Sequence, residues 1–212
     1  MAADGLRIDY YFSVLSDWAY LGGERLDQIA LRHGAAINHL PVRLADVYAG
    51  TGGIILQKRS VQRQAYREVE LKRWSRRLGV PLVIHPKHYP TDDVLASGVI
   101  VAAQRVRLDA GRVANCILRA IWAEERNIAD AKTLRSIVEG CGGDGDAILR
   151  LAAAPESLRV LDQNTQEAQT RGVFGSPFYI CEGEIYWGQD RLEFLEDFLE
   201  RGAVAREGAR SG

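Results

Sequence analysis

Residues Gly172–Tyr179 read GVFGSPFY, and shortly after them Trp187–Leu192 read WGQDRL. Two short β-like runs, Pro177–Cys181 (PFYIC) and Glu184–Trp187 (EIYW), are joined here by Glu182-Gly183. Gly tolerates the positive φ of a tight turn, so the pair predicts a β-hairpin. A proline entering a strand often marks a cis bond, which turns the preceding backbone outward. The N–H and C=O of Ser176 can then pair with an extended peptide as an added strand. From these residues alone, an ordinary turn before an edge strand is an equal reading.

At the other end of the chain, Leu6 to Phe12 (LRIDYYF) alternates and is rich in β-forming residues, which predicts a strand. Ser13 to Gly34 carries Trp18, Leu21, Leu26, Ile29, Ala30 and Leu31 at helical spacing, with Ser16 or Asp17 suited to cap a helix. Ala35 to Leu44 is a second strand candidate. Strand, helix, strand opens a parallel sheet with a crossover. The hairpin and a last helix, Asp190 to Arg201, follow only after a long helical middle, so the sheet is assembled from both ends of the chain.

The middle begins with an amphipathic helix, Val61 to Leu78, whose apolar positions are read as Tyr66, Val69, Trp74 and Leu78. Pro86 and Pro90 bracket a loop. Helices are expected over Val94–Ala110, Ala114–Arg126, Asp130–Glu139, Asp144–Ala153 and Glu156–Arg171. The predicted fold class is α/β, with residues 1–45 and 172–205 forming a discontinuous sheet domain. Residues 46–171 form a large all-helical insertion, and 206–212 a disordered tail.

With 47% hydrophobic and 26% charged residues, the composition is that of an ordinary globular protein. A net charge of −1 gives no footprint for nucleic acid or an anionic membrane. Lys72, Arg73, Arg76 and Arg77 alternate with apolar residues and are read as a solvated helix face. No signal peptide and no membrane-length apolar run is visible, so a cytoplasmic protein is expected. Cys116, Cys141 and Cys181 are an odd number without close pairing, which fits a reducing compartment and no disulfide framework. No metal site is expected from the scattered histidines; His85 and His88 flank Pro86 with no cysteine near.

Ser13-Val-Leu-Ser-Asp-Trp18 carries the second chemical signal. It lies where the first strand meets the first helix, and a helix N-terminus stabilises an anion through unsatisfied N–H groups and the macrodipole. A serine hydroxyl there can donate to such an anion, or it can simply cap the helix. Combined with GVFGSPFY and WGQDRL, with YYFSVLSDWAYL (Tyr10–Leu21), and with Tyr66, Arg73-Trp74 and Arg77-Leu78-Gly79-Val80-Pro81, the chain resembles a known family. Tyr89-Pro90 and AIWAEERNI (Ala120–Ile128) extend the match. It is similar to the DsbA-related thioredoxin-like proteins, and among them to kappa-class glutathione transferases and 2-hydroxychromene-2-carboxylate isomerases.

This resemblance implies a thioredoxin-like fold, a homodimer, and glutathione as cofactor. Where disulfide oxidoreductases of this fold carry Cys-x-x-Cys, this chain has Ser16-Asp17-Trp18-Ala19, so dithiol exchange in that segment is excluded. Ser16 matches the serine that hydrogen-bonds the glutathione sulfur. Ser176 matches the residue pairing with the cysteinyl unit, ahead of the cis-proline at Pro177. Gln189 and Asp190 match the positions taking the γ-glutamyl end, with Arg191 a direct ligand or an orienter of Asp190. Trp18, Tyr20, Tyr89 and Trp187 are candidate walls for an aromatic substrate, Trp18 and Tyr89 foremost.

Departures are also visible. Asp17 replaces the usual proline, and an unpaired carboxylate there would oppose a thiolate. Ser176 is polar where a hydrophobic residue is common, Gly53 stands for a loop asparagine, Asp92 for another, and Gly98 for an arginine. The implied activity is a glutathione-dependent isomerase acting on an aromatic unsaturated keto acid. A kappa-like transferase and a non-catalytic binding protein are the alternatives.

Overall fold

The computed structural model of the chain describes residues 6–210, with side chains through residue 202. Four strands form one mixed sheet: β1 (Arg7–Phe12), β2 (Ala36–Pro41), β3 (Phe178–Cys181) and β4 (Glu184–Trp187), in the order β2-β1-β3-β4. β1 runs parallel to β2, with Ile8 beside Ile37, and antiparallel to β3, with Tyr10 opposite Tyr179. The hairpin pairs Phe178 with Trp187. The two ends of the chain thus meet at β1, the thioredoxin-like arrangement expected from the sequence.

Alternation along β1 sorts its side chains into two buried layers. Ile8, Tyr10 and Phe12 enter the larger core together with α1 (Asp17–His33), α4 (Val94–Arg105) and α5 (Ala110–Trp122). Tyr11 faces the other way, into a cluster with Leu40, Val47, Ala168, Phe178 and Ile180. That second layer is closed by α2 (Leu44–Thr51) and α8 (Pro155–Thr170). Seven helices, α2 to α8, lie between β2 and β3; α3 spans Val61–Leu78, α6 Ala131–Gly140 and α7 Gly145–Ala152. Among the described residues no helix is long and apolar enough to cross a membrane.

Several elements differ from the sequence reading for identifiable reasons. Helix α2 is absent from it, because eight residues with only Val47 buried show no readable period. The helix expected over residues 94–110 ends at Arg105; Arg107 takes a positive φ of 60° and Asp109 accepts the Arg112 N–H at 2.9 Å, starting α5 early. On α3 the inward face is Arg67, Leu71, Trp74 and Leu78, while Tyr66 and Val69 are 62% and 42% exposed. Lys72, Arg73, Arg76 and Arg77 are exposed, as read. Helix α9 begins at Leu192 and continues to Arg210, beyond its expected end at Arg201 and through much of the stretch read as a tail; Ser211 and Gly212 lie outside the described residues. Cys116 and Cys141, distant in sequence, bring their sulfurs to 3.7 Å while both remain free thiols.

Gly98 explains one departure from the family. A Cβ there would sit 2.6 Å from the carbonyl oxygen of Ala152, so α4 and α7 touch backbone to backbone and an arginine has no room. Gly98→Ala gains ~1 kcal/mol of helix propensity but overpacks the contact at ~1–3 kcal/mol. A net loss is expected, larger for Gly98→Val, read as a lowered urea midpoint at unchanged slope. A gain in midpoint for the alanine variant would show that the two helices part easily.

Candidate active site

The start of α1 is built by three serines. Ser16 is its N-cap, and the side-chain oxygen accepts the Ala19 N–H at 3.1 Å. Its hydroxyl donates to the Ser176 carbonyl, also at 3.1 Å. Ser176 returns a bond by accepting the Ser13 N–H on Oγ at 3.0 Å, and Ser13 Oγ accepts the Leu15 N–H at 3.1 Å. The Ser176–Pro177 peptide is cis. The turn after β4 is tied to it, since the Gly188 N–H donates to the Pro177 carbonyl at 3.0 Å. The N–H of Ser176 takes no partner in the fold among the described residues.

Ser16 therefore caps the helix, and that bond is compatible with donation to an anion. Capping uses an oxygen lone pair and leaves the proton free to choose an acceptor. That proton now rests on the Ser176 carbonyl, and a small rotation turns it towards an anion in front of the helix. The Ala19 N–H polarises the hydroxyl and makes it a better donor.

In front of these serines opens a cavity of about 360 Å³. Ser13, Ser16, Asp17, Trp18 and Ser176 form its floor, Tyr89 and Asp93 line it from the start of the α4 segment, and Arg43, Tyr48, Arg59 and Arg67 come from the segments between β2 and α3 and from α3 itself. The Tyr89–Pro90 peptide is cis as well. Trp18 and Tyr89 thus both line the cavity. Tyr20 does not; its hydroxyl donates to the Pro81 carbonyl at 2.7 Å. Trp187 lies against Phe174 at 4.8 Å between ring centres, on another surface.

The family's proline position is settled by α3. Asp17 is 5% exposed and forms an ion pair with Arg67, and its Oδ1 also accepts the Trp18 N–H at 2.8 Å. Burial pulls the Arg67 pKa below its usual value. The carboxylate feared as an opponent of a thiolate has its charge balanced in place. Arg67 escaped the sequence reading, although it lies in phase with Leu71, Trp74 and Leu78, and that phase was the available signal.

Arg43 is likewise occupied, by Asp162 at 2.9 Å. Arg59 is different: its Nε donates to the Ile54 carbonyl at 2.8 Å and Nη2 reaches the Tyr48 hydroxyl at 3.4 Å, both neutral groups. Among the described residues it forms no ion pair, so it brings an unbalanced positive charge to the cavity. Burial raises the Tyr89 pKa, and the Arg67 and Arg59 guanidinium groups both act against that rise, as expected of cations facing its hydroxyl.

The carboxy-terminal candidates lie outside the cavity. Gln189 is 1% exposed, and its Oε1 accepts from Arg25 at 2.8 Å beneath α1. Gly22 permits that burial, because a Cβ there would meet Gln189 Cβ at 2.8 Å. The Gln189 side-chain oxygen is thus committed within the fold. Asp190 is part-exposed and paired with Arg191 at 3.3 Å, while the Arg191 guanidinium lies 5.8 Å above the Phe194 ring. Arg191 is thus placed to orient Asp190 rather than to reach the cavity.

Comparison with known proteins gives a consistent picture. The DSBA-like thioredoxin domain profile matches residues 7–200. A 2-hydroxychromene-2-carboxylate isomerase of Pseudomonas putida is 30% identical, with 92% of this chain and 94% of that protein aligned. A solved 2-hydroxychromene-2-carboxylate isomerase superimposes with a TM-score of 0.79 at 27% identity, covering 97% of this chain and 99% of the other. Glutathione S-transferase kappa 1 of Caenorhabditis elegans is more distant, at 22% identity over 92% of this chain and 91% of its own.

Proposed function

The chain belongs to the DSBA-like thioredoxin domain family and groups within it with 2-hydroxychromene-2-carboxylate isomerases, and from that premise we propose that it is a glutathione-dependent isomerase of an aromatic, unsaturated keto acid. The residues present suit glutathione. The unpartnered Ser176 N–H offers an extended peptide a strand-like contact beside cis-Pro177. The Ser16 hydroxyl and the α1 N-terminus favour an anionic sulfur in front of them. Asp190, oriented by Arg191, suits the ammonium of the γ-glutamyl end. When bound, glutathione supplies a thiol that adds reversibly to the substrate double bond, so that rotation about the resulting single bond gives the other isomer.

The chain's own groups hold the substrate. Arg59 takes the substrate carboxylate, because it is the cavity arginine whose charge no carboxylate balances among the described residues. Trp18, Tyr48 and Tyr89 supply flat apolar surface for an aromatic ring. Asp17 and Arg67 neutralise one another beside Ser16 and leave the sulfur site without an opposing charge. The protein works in the cytoplasm as a homodimer on a small-molecule substrate, without nucleic acid or membrane partners.

The observation that carries this reading is a hydroxyl, rather than a thiol, at the head of α1, with its proton free to redirect. Incubating the purified protein with a hydroxychromene carboxylate, with and without glutathione, tests it. Interconversion that needs glutathione and leaves it unconsumed is expected. Accumulation of a conjugate points to the transferase alternative, and failure to bind glutathione at millimolar concentration to the binding-protein alternative.

A further inference from the structure

Resting on the isomerase reading above, we propose that Asp93 is the acid–base catalyst of the cavity, lending a proton to the keto oxygen of the substrate and taking it back. Asp93 occupies the N-cap position of α4, yet its carboxylate makes no capping bond. Its neighbour does that work: Asp92 Oδ1 accepts the Val94 N–H at 2.8 Å. The Asp93 carboxyl is left half-buried in the cavity wall, and no ion pair engages it among the described residues. The other acids lining the cavity are unsuited, Asp17 being tied to Arg67 and Asp46 exposed.

Its surroundings favour a carboxyl that holds a proton. Burial raises its pKa and the Asp92 charge adds to the rise; its own backbone, Arg43 and the Ser13 hydroxyl restrain it. Arg43 comes from the β2–α2 junction and is shared with Asp162, while the Asp17–Arg67 pair that lines the same cavity is neutral as a unit. Ser13 lines the same cavity. Its Oγ already accepts the Leu15 N–H, so its own proton is available to Asp93, and its backbone N–H is held by Ser176. Asp93 is thereby linked through one residue to the serine that flanks the sulfur site.

The proton balance is closed. When sulfur bonds to carbon, the electron pair of the double bond shifts to the keto oxygen, and the Asp93 proton meets it there. When the carbon–sulfur bond breaks, the pair returns to carbon, the proton returns to Asp93, and sulfur leaves as the thiolate that entered. No oxidant, reductant or further reactant is needed. A carboxyl that holds its proton more tightly than an exposed aspartate suits both halves of such a cycle.

Two measurements test the assignment. Infrared titration of the glutathione-free wild type is expected to show protonated carboxyl signal above the ordinary aspartate range from two groups, Asp93 and Asp27, the latter pushed up to about 6 by burial away from the cavity. Asp93→Asn is expected to remove its own share of that signal and leave the Asp27 share. In turnover, Asp93→Asn is expected to lower kcat roughly 100-fold or more and to abolish the alkaline fall of the rate. Glutathione affinity and thiolate formation should be retained, with activity partly restored in Asp93→Glu. An infrared titration that Asp93→Asn leaves unchanged, or an unchanged alkaline limb in that variant, would overturn the assignment while leaving the isomerase reading intact. A wild type that binds glutathione as thiolate yet isomerises nothing removes the reading itself, and the assignment with it.

Discussion

In Ser16→Ala the thiol of bound glutathione is expected to titrate about one to two pH units higher than in the wild type, and turnover near neutral pH to fall by roughly 10- to 100-fold. Hydrogen bonds to charged groups contribute ~1.5–3 kcal/mol, and one pKa unit corresponds to ~1.4 kcal/mol. The same loss applied to the barrier gives the change in rate. The variant also loses the bond to the Ala19 N–H, which costs ~0.5–2 kcal/mol of stability. Ser16→Asp separates the two roles: it caps α1 as well as serine does, but it sets a negative charge where a proton was donated. Near-wild-type stability with no thiolate formed is the expected result. The readout is the ultraviolet absorbance of the thiolate against pH; an unshifted titration in Ser16→Ala would remove the hydroxyl from the chemistry.

The parts of this site that could be read from sequence are those carried by contiguous residues. Ser16 ends a strand–turn–helix run, and Ser176-Pro177 opens a hairpin, so each announces its local geometry. The sheet was legible for the same reason, since alternation in β1 and the Glu182-Gly183 turn are local signals. What escaped comes from pieces that only tertiary packing brings together. Arg59 and Tyr48 lie around a short helix without readable period, and Asp93 is one of two adjacent acids whose division of labour appears only once Asp92 is seen to cap α4. Gln189 shows the same limit from the other side: its motif marks a position near a ligand, while the burial of its side chain under α1, which Gly22 permits, is not written in that motif. Family motifs mark where the chain comes near a ligand; which side chain faces it is decided by packing.

The Asp17–Arg67 pair shows how far packing can invert a local reading, and it sets the largest stability effect expected. Seen alone, Asp17 argues against an anion at the head of α1. Seen with Arg67, it is half of a neutral unit in which the helix dipole favours the carboxylate at the first turn. The side chains are only 6% and 10% exposed, so neither charge can be left alone cheaply. Arg67→Met, which keeps an apolar stem in phase with Leu71, strands Asp17 and is expected to cost ~3–5 kcal/mol. Asp17→Asn combined with Arg67→Met removes both charges and should recover most of that loss, because a buried pair owes little of its net stability to the pairing itself. The thiolate gives a second readout. In Arg67→Met the unbalanced carboxylate faces the sulfur site and should raise the titration of bound glutathione, whereas the double variant should return it to near the wild-type value. Urea denaturation and thiolate absorbance on the same set of proteins measure both. If the single variant were as stable as the double and its thiolate unmoved, Asp17 and Arg67 would be separate surface charges, and the neutrality of the sulfur site would need another cause.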